Sequence, residues 1–111
     1  MTVKEMAQTL GLKVLAGEGG LEKKIIGGYT SDLLSDVMGY ADAGYVWITL
    51  QTHKNVMAIA SLKELAAVVL VKGFEPDADT VELAEQEDIP ILSTTEQAFE
   101  LSGRLYRLLH P

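Results

Sequence analysis

Three apolar segments that alternate with helix-forming ones, between Tyr45 and Leu109, constrain this chain more than anything else in it. Tyr45-Val46-Trp47-Ile48-Thr49-Leu50 runs into Gln51-Thr52-His53, Ala66-Ala67-Val68-Val69-Leu70-Val71 into Lys72-Gly73, and Ile89-Pro90-Ile91-Leu92 into Ser93-Thr94-Thr95. A β-α-β-α-β-α order of this kind predicts an α/β fold with a mostly parallel sheet. In such sheets ligands bind beyond the carboxyl ends of the strands. The small polar residues that close each strand therefore point to a single rim.

The remaining segments fit the same class. Thr2 and Glu5 have capping-box spacing, Val3, Met6, Ala7 and Leu10 share one helical face, and Gly11 supplies a stop. Leu12–Leu15 reads as a strand, followed by a turn at Gly17, Gly19 and Gly20. Ile25–Thr30 reads as a second strand holding the pair Gly27-Gly28, which predicts a bulge or a close approach of another backbone. A phosphate loop fits less well, because no lysine-serine or lysine-threonine pair follows. The β-branched run Ala66–Val71 suits a central strand buried on both faces. Ser93 and Glu96 again have capping-box spacing and predict the start of the last helix. That helix carries Ala98, Leu101, Leu105 and Leu108 beside a second stripe of Phe99, Tyr106 and Leu109, an arc wider than one sheet face needs. Gly103 within it costs about 1 kcal/mol relative to alanine, which suggests that another backbone comes close there. Phe99, Gly103, Leu105, Tyr106 and Leu109 are accordingly the candidate homodimer contact.

Composition removes several functions. At 111 residues and 48% hydrophobic content, residues 1–111 make one domain with its own core. No cysteine is present, so thiolate metal sites, iron–sulfur clusters and cysteine nucleophiles are excluded. A net charge of −7 with no basic stripe argues against nucleic acid. The longest apolar run, Leu65 to Val71, is far short of the roughly 20 residues a membrane span requires. With no signal-peptide pattern at Met1–Glu5, a cytoplasmic setting is expected.

Several stretches of the chain are familiar as text. They are Gly27-Gly28-Tyr29-Thr30-Ser31-Asp32-Leu33-Leu34-Ser35-Asp36-Val37, Val46–His53, Ala67–Gly73 and Ile89–Thr94. In this order they resemble the DRTGG domain family, related to the amino-terminal domain of HPr kinase and more distantly to the first domain of Mur ligases. The resemblance implies a three-layer α/β/α fold. It also implies a regulatory module of the kind appended to enzymes such as phosphotransacetylases and CBS-containing pyrophosphatases, and it implies no kinase activity. The family's aspartate-arginine is replaced by Thr52-His53, and its threonine-glycine-glycine by Val71-Lys72-Gly73. Roles tied to that arginine or to the glycine pair do not transfer.

The candidate ligand-binding residues are Asp32, Thr52, His53, Asn55, Lys72, Gly73, Ser93 and Thr94. Asp32 either caps the helix that follows or, with Asp36, orients a cation or a ribose hydroxyl. Thr52, His53 and Asn55 open a helix and suit an anion. His53 lacks an identifiable nucleophile partner, and one histidine with two aspartates has no metal-ligand spacing. Trp47 reads as core. The expectation is a non-catalytic module, without a cofactor, that binds a nucleotide or other phosphorylated small molecule. The rivals are a ligand-free homodimerisation domain and, third, a small hydrolase or transferase using His53 and Asp32.

Overall fold

The computed structural model describes all 111 residues. Its elements are α1 (Val3–Leu10), β1 (Lys13–Ala16), a 3-10 turn (Glu18–Gly20), β2 (Gly27–Thr30), α2 (Leu34–Tyr40) and β3 (Tyr45–Thr49). Then come α3 (Asn55–Leu62), β4 (Ala67–Leu70), α4 (Ala78–Glu87), β5 (Ile91–Ser93) and α5 (Ala98–Leu109). The sheet has the order β1-β5-β4-β3-β2. β2, β3, β4 and β5 run parallel, and β1 is antiparallel to β5.

The alternation of side chains along the strands makes three layers. Val46, Ile48, Ala67, Val69 and Leu92 pack with α1 and α5 on one face. Trp47, Val68, Leu70 and Ile91 pack with Val37 of α2, Val56, Met57 and Ala60 of α3, and Ala84 of α4 on the other. β4 is central and wholly buried, as a β-branched run with no polar alternation demands. Trp47 is fully buried and its indole N–H donates to the Ser31 carbonyl at 2.8 Å, so a polar atom inside the core is satisfied. No helix is long and apolar enough to cross a membrane.

Local signals at the amino terminus operate as expected. The Thr2 hydroxyl accepts from the Glu5 N–H, the Glu5 carboxylate accepts from the Thr2 N–H, and Gly11 ends α1 at φ 67°. The bond from Thr2 holds the Glu5 carboxyl below its ordinary pKa.

Three local expectations are corrected. The Gly27-Gly28 pair is no bulge: β2 pairs with β3 in unbroken register from Gly27↔Tyr45 to Thr30↔Ile48. Side chains approach it most closely, and the nearest backbone atom, the Val46 carbonyl oxygen of β3, is at ordinary contact distance, 3.6 Å from a Cβ on Gly28. A Cβ on Gly28 would lie 3.1 Å from Leu105 of α5, and one on Gly27 would lie 2.6 Å from the Tyr45 ring. The irregularity falls in β1, between Val14 and Ala16. Ser93 does not open the last helix either; α5 begins at Ala98 after Gln97, and Thr94 instead accepts from the Glu96 N–H to form a tight turn. Finally, Gly103 faces open space, with nothing near enough to exclude a methyl group.

Candidate functional site

Because β2 to β5 share one direction, the segments that follow them lie along one edge of the sheet. Asp32 follows β2; Thr52, His53 and Asn55 follow β3; Lys72 and Gly73 follow β4; Ser93 and Thr94 close β5. These segments are also bonded to one another. Asp32 Oδ1 accepts from the Thr49 hydroxyl at 2.9 Å and from the Leu50 N–H at 2.8 Å, and the Gln51 amide donates to the Asp32 carbonyl at 2.8 Å. Asp32 therefore latches the β2–α2 loop onto the end of β3. It does not cap α2, whose first residues receive no side-chain bond.

The neighbouring loops are tied in the same way. The Thr52 carbonyl accepts from the Thr80 hydroxyl at 2.8 Å and the Asp77 N–H at 3.1 Å, which joins the β3–α3 loop to the start of α4. Lys72 and Gly73 both adopt positive φ, 60° and 71°. Their N–H groups donate to the Glu96 and Thr94 carbonyls at 2.8 Å each, so these two amides bind the β5–α5 turn and are not presented to an incoming anion. His53 is exposed, and its Nδ1 accepts from the Asn55 N–H at 3.3 Å.

His53 and Asp32 thus engage different partners and make no hydrogen bond to each other. Asp36, four residues beyond Asp32, accepts from the Tyr29 hydroxyl at 2.9 Å, and this bond raises the Tyr29 pKa. No three His, Asp or Glu side chains converge as a metal-ligand set.

What the loops leave unengaged at the rim is cationic and hydroxylic. The one ion pair of the chain joins Arg104 to Glu96, so the ammonium groups of Lys54 and Lys72 have no carboxylate partner. The Thr52 and Ser93 hydroxyls and the Asn55 side-chain amide make no protein hydrogen bond either. The sequence singles out Lys72 but gives Lys54 no weight; its position beside the first turn of α3 is the signal that marks it.

The pronounced clefts lie elsewhere. A groove of about 710 Å³ runs between α1 and α5 and is lined by Phe99, Gly103, Arg104 and Arg107. A cleft of about 300 Å³ separates β2 from α5 and is lined by Ile26, Gly28, Tyr106 and Leu109. The five residues expected to form one dimer contact are therefore divided. Phe99 and Gly103 face the α1 side, and Tyr106 and Leu109 face the β2 side. Leu105 is 3% exposed and belongs to the core, a correction to its expected role as a contact residue.

The architecture defines a three-layer α/β/α domain with a mostly parallel sheet and a loop rim beyond the strand ends. The sequence profile of the DRTGG domain matches residues 5–108, and the chain belongs to that family. It is similar to an uncharacterized protein, YtoI, of Bacillus subtilis (strain 168), at 29% identity over 117 residues. That alignment takes in 99% of this chain and 25% of the relative, so the chain spans about a quarter of that protein. Among solved structures it is similar to the CBS and DRTGG domains of the regulatory region of Clostridium perfringens pyrophosphatase, complexed with the activator diadenosine tetraphosphate. The TM-score is 0.68 at 15% identity, over 92% of this chain and 44% of that one. At that identity the likeness is one of fold.

Proposed function

We propose that this domain is a non-catalytic regulatory module that binds a nucleotide or another phosphate-bearing small molecule at the strand-end rim. The observation that carries the reading is the pair Lys54 and Lys72, uncompensated on a chain of net charge −7 and set among the free polar groups of Thr52, Asn55 and Ser93. The amino-terminal end of α3 adds a favourable dipole for an anion at the same place. The solved relative's regulatory region was crystallised with a dinucleoside polyphosphate activator, which makes nucleotides the first class to test. Asp32 and Gly73 shape this rim, Asp32 by its latch and Gly73 by its turn, while Lys72 and His53 offer side chains to the ligand. A general acid–base role for His53 with Asp32 has no support in the geometry, since their hydrogen bonds lead elsewhere.

Thermal denaturation with ATP, AMP, diadenosine tetraphosphate and inorganic phosphate tests the proposal. A ligand at a hundredfold over its Kd adds about 2.7 kcal/mol of stability. The Lys72→Ala substitution is expected to abolish that gain while leaving the free protein's melting temperature unchanged. A flat response to the whole panel contradicts the reading.

A second reading, self-association into a homodimer, is favoured by the exposed aromatics of α5: Phe99 is 85% and Tyr106 66% exposed. On the β2 side of α5 Tyr106 is joined by Ile26, 71% exposed, at the rim of one cleft, and exposed apolar groups gathered at one place mark an interaction surface. Light scattering across a concentration series tests it, and a monomer throughout contradicts it.

A further inference from the structure

We infer that the strand-end rim selects a nucleotide over a bare phosphate, because Phe74 forms a platform for the base while Lys54 and Lys72 meet the phosphate. The inference rests on the rim as the ligand site and names the ligand class for it; it is independent of self-association.

Four aromatic side chains of this chain are largely exposed: Tyr40, Phe74, Phe99 and Tyr106. Phe99 and Tyr106 belong to α5, and Tyr40 ends α2 at the opposite edge of the sheet, before β3 begins. Phe74 alone follows the carboxyl end of a strand, in the β4–α4 loop, and it is 44% exposed. Two hydrogen bonds hold it there. The Phe74 N–H donates to the Val71 carbonyl at 3.1 Å and closes the turn through Lys72 and Gly73. A little further on, the Asp77 N–H donates to the Thr52 carbonyl, also at 3.1 Å. The segment from Phe74 to Pro76 is thereby pinned at both ends, alongside the β3–α3 loop that carries His53 and Lys54.

The spacing suits one nucleotide. β3 and β4 are paired neighbours, so their ends are about 4.8 Å apart. Phe74 lies two residues beyond Lys72, a Cα separation of at most about 7 Å. Both lysines are exposed and carry their charge on flexible four-carbon stems, so the ammonium groups reach a phosphate while the ring stays under the base. The exposed carboxylates of Glu75 and Asp77 follow Phe74 toward α4 and repel a phosphate from that side, which leaves it to Lys54 and Lys72.

The ring narrows the ligand further. A bare phosphate engages only the cations, and an exposed phenyl group beside them adds nothing to its binding. Every nucleobase has a π-face, and stacking one on an aromatic side chain strengthens binding by about 5- to 150-fold. The Phe74 ring has no hydrogen-bonding atom, so it reads the size of the base and not its edge. Purines are expected to bind above pyrimidines, with adenine and guanine close together.

Calorimetric titration of the unsubstituted chain and of Phe74→Ala with AMP, ribose 5-phosphate and inorganic phosphate tests the assignment. AMP is expected to bind at least about fivefold more tightly than ribose 5-phosphate. Phe74→Ala is expected to remove that advantage and leave the ribose 5-phosphate affinity unchanged, whereas Phe74→Tyr retains the ring and the advantage. In NMR spectra the Phe74 ring protons should shift upfield with AMP and not with ribose 5-phosphate. Equal affinities for AMP and ribose 5-phosphate, an AMP advantage that survives Phe74→Ala, or an equal loss for both ligands in that variant overturns the platform and leaves the rim as an anion site. Failure of all three ligands to bind overturns the rim and the platform with it. Where Phe74→Ala fails to fold, the two affinities and the ring-proton shifts in the unsubstituted chain decide.

Discussion

Replacing Asp32 by alanine separates its structural work from ligand binding. One oxygen of this carboxylate receives the Thr49 hydroxyl and the Leu50 N–H, at 2.9 and 2.8 Å. Thr49 is 1% exposed, so its hydroxyl has no water to turn to when the acceptor is removed. A hydrogen bond to a charged group contributes about 1.5–3 kcal/mol, and an orphaned buried donor costs about 1–3 kcal/mol. Leu50 is only partly buried and Asp32 itself is exposed, so water replaces part of the loss at the amide. We expect a destabilisation of about 2 kcal/mol, centred on Thr49. For a domain of this size that lowers Tm by about 8 °C. Asp32→Asn keeps an acceptor oxygen and is expected to lose about half as much, or ~1 kcal/mol. Circular dichroism during thermal and urea denaturation reads both values. A change below about 0.5 kcal/mol for Asp32→Ala, the range of an ordinary surface substitution, refutes the latch.

Two further predictions concern other positions. Gly17→Ala should destabilise by at least about 2 kcal/mol in urea unfolding, because Gly17 sits at φ 74° and a Cβ there runs into the Ile89 carbonyl; a change within experimental error contradicts the close approach of this turn to the α4–β5 loop. The bond from Tyr29 to Asp36 raises the phenol's pKa, so the stability linked to it is fully present below the ordinary tyrosine value and is lost as pH rises through the raised one. Asp36→Asn should return the Tyr29 titration, followed by NMR, toward the ordinary range, and an unchanged titration refutes the pairing.

Much of the fold can be read from the chain because its signals are local. Ala66–Val71 has no polar alternation, which only a strand covered on both sides satisfies, and β4 is that strand. The Thr2–Glu5 box and Gly11 delimit α1 through bonds between near neighbours. The shared direction of β2 to β5 follows from helices long enough to cross between strands. What escaped the sequence depends on distant partners. Nothing in Lys13–Ala16 announces that it pairs antiparallel with β5, 75 or more residues away. The glycine pair of β2 is explained by Leu105 and Tyr45, which reach it from other elements, so a rule about local bulges misreads it.

The candidate site shows the same division. Topology places its residues on one edge, yet the sequence gives no sign that Asp32 is engaged by Thr49 and Leu50, or that the Lys72 and Gly73 amides are taken up by the β5–α5 turn. Hydrophobic periodicity likewise marks Leu105 and Tyr106 alike as apolar. Only the angle at which α5 lies on the sheet separates the buried residue from the exposed one.

A titration of the 15N-labelled protein with diadenosine tetraphosphate and ATP, followed amide by amide, bears most directly on the rim as a binding site. The account predicts saturable shifts concentrated at Asn55, Lys72, Gly73, Ser93 and Thr94, weakened in Lys72→Ala. Shifts confined to Phe99, Arg104 and Arg107 in the α1–α5 groove, or none at all, contradict it.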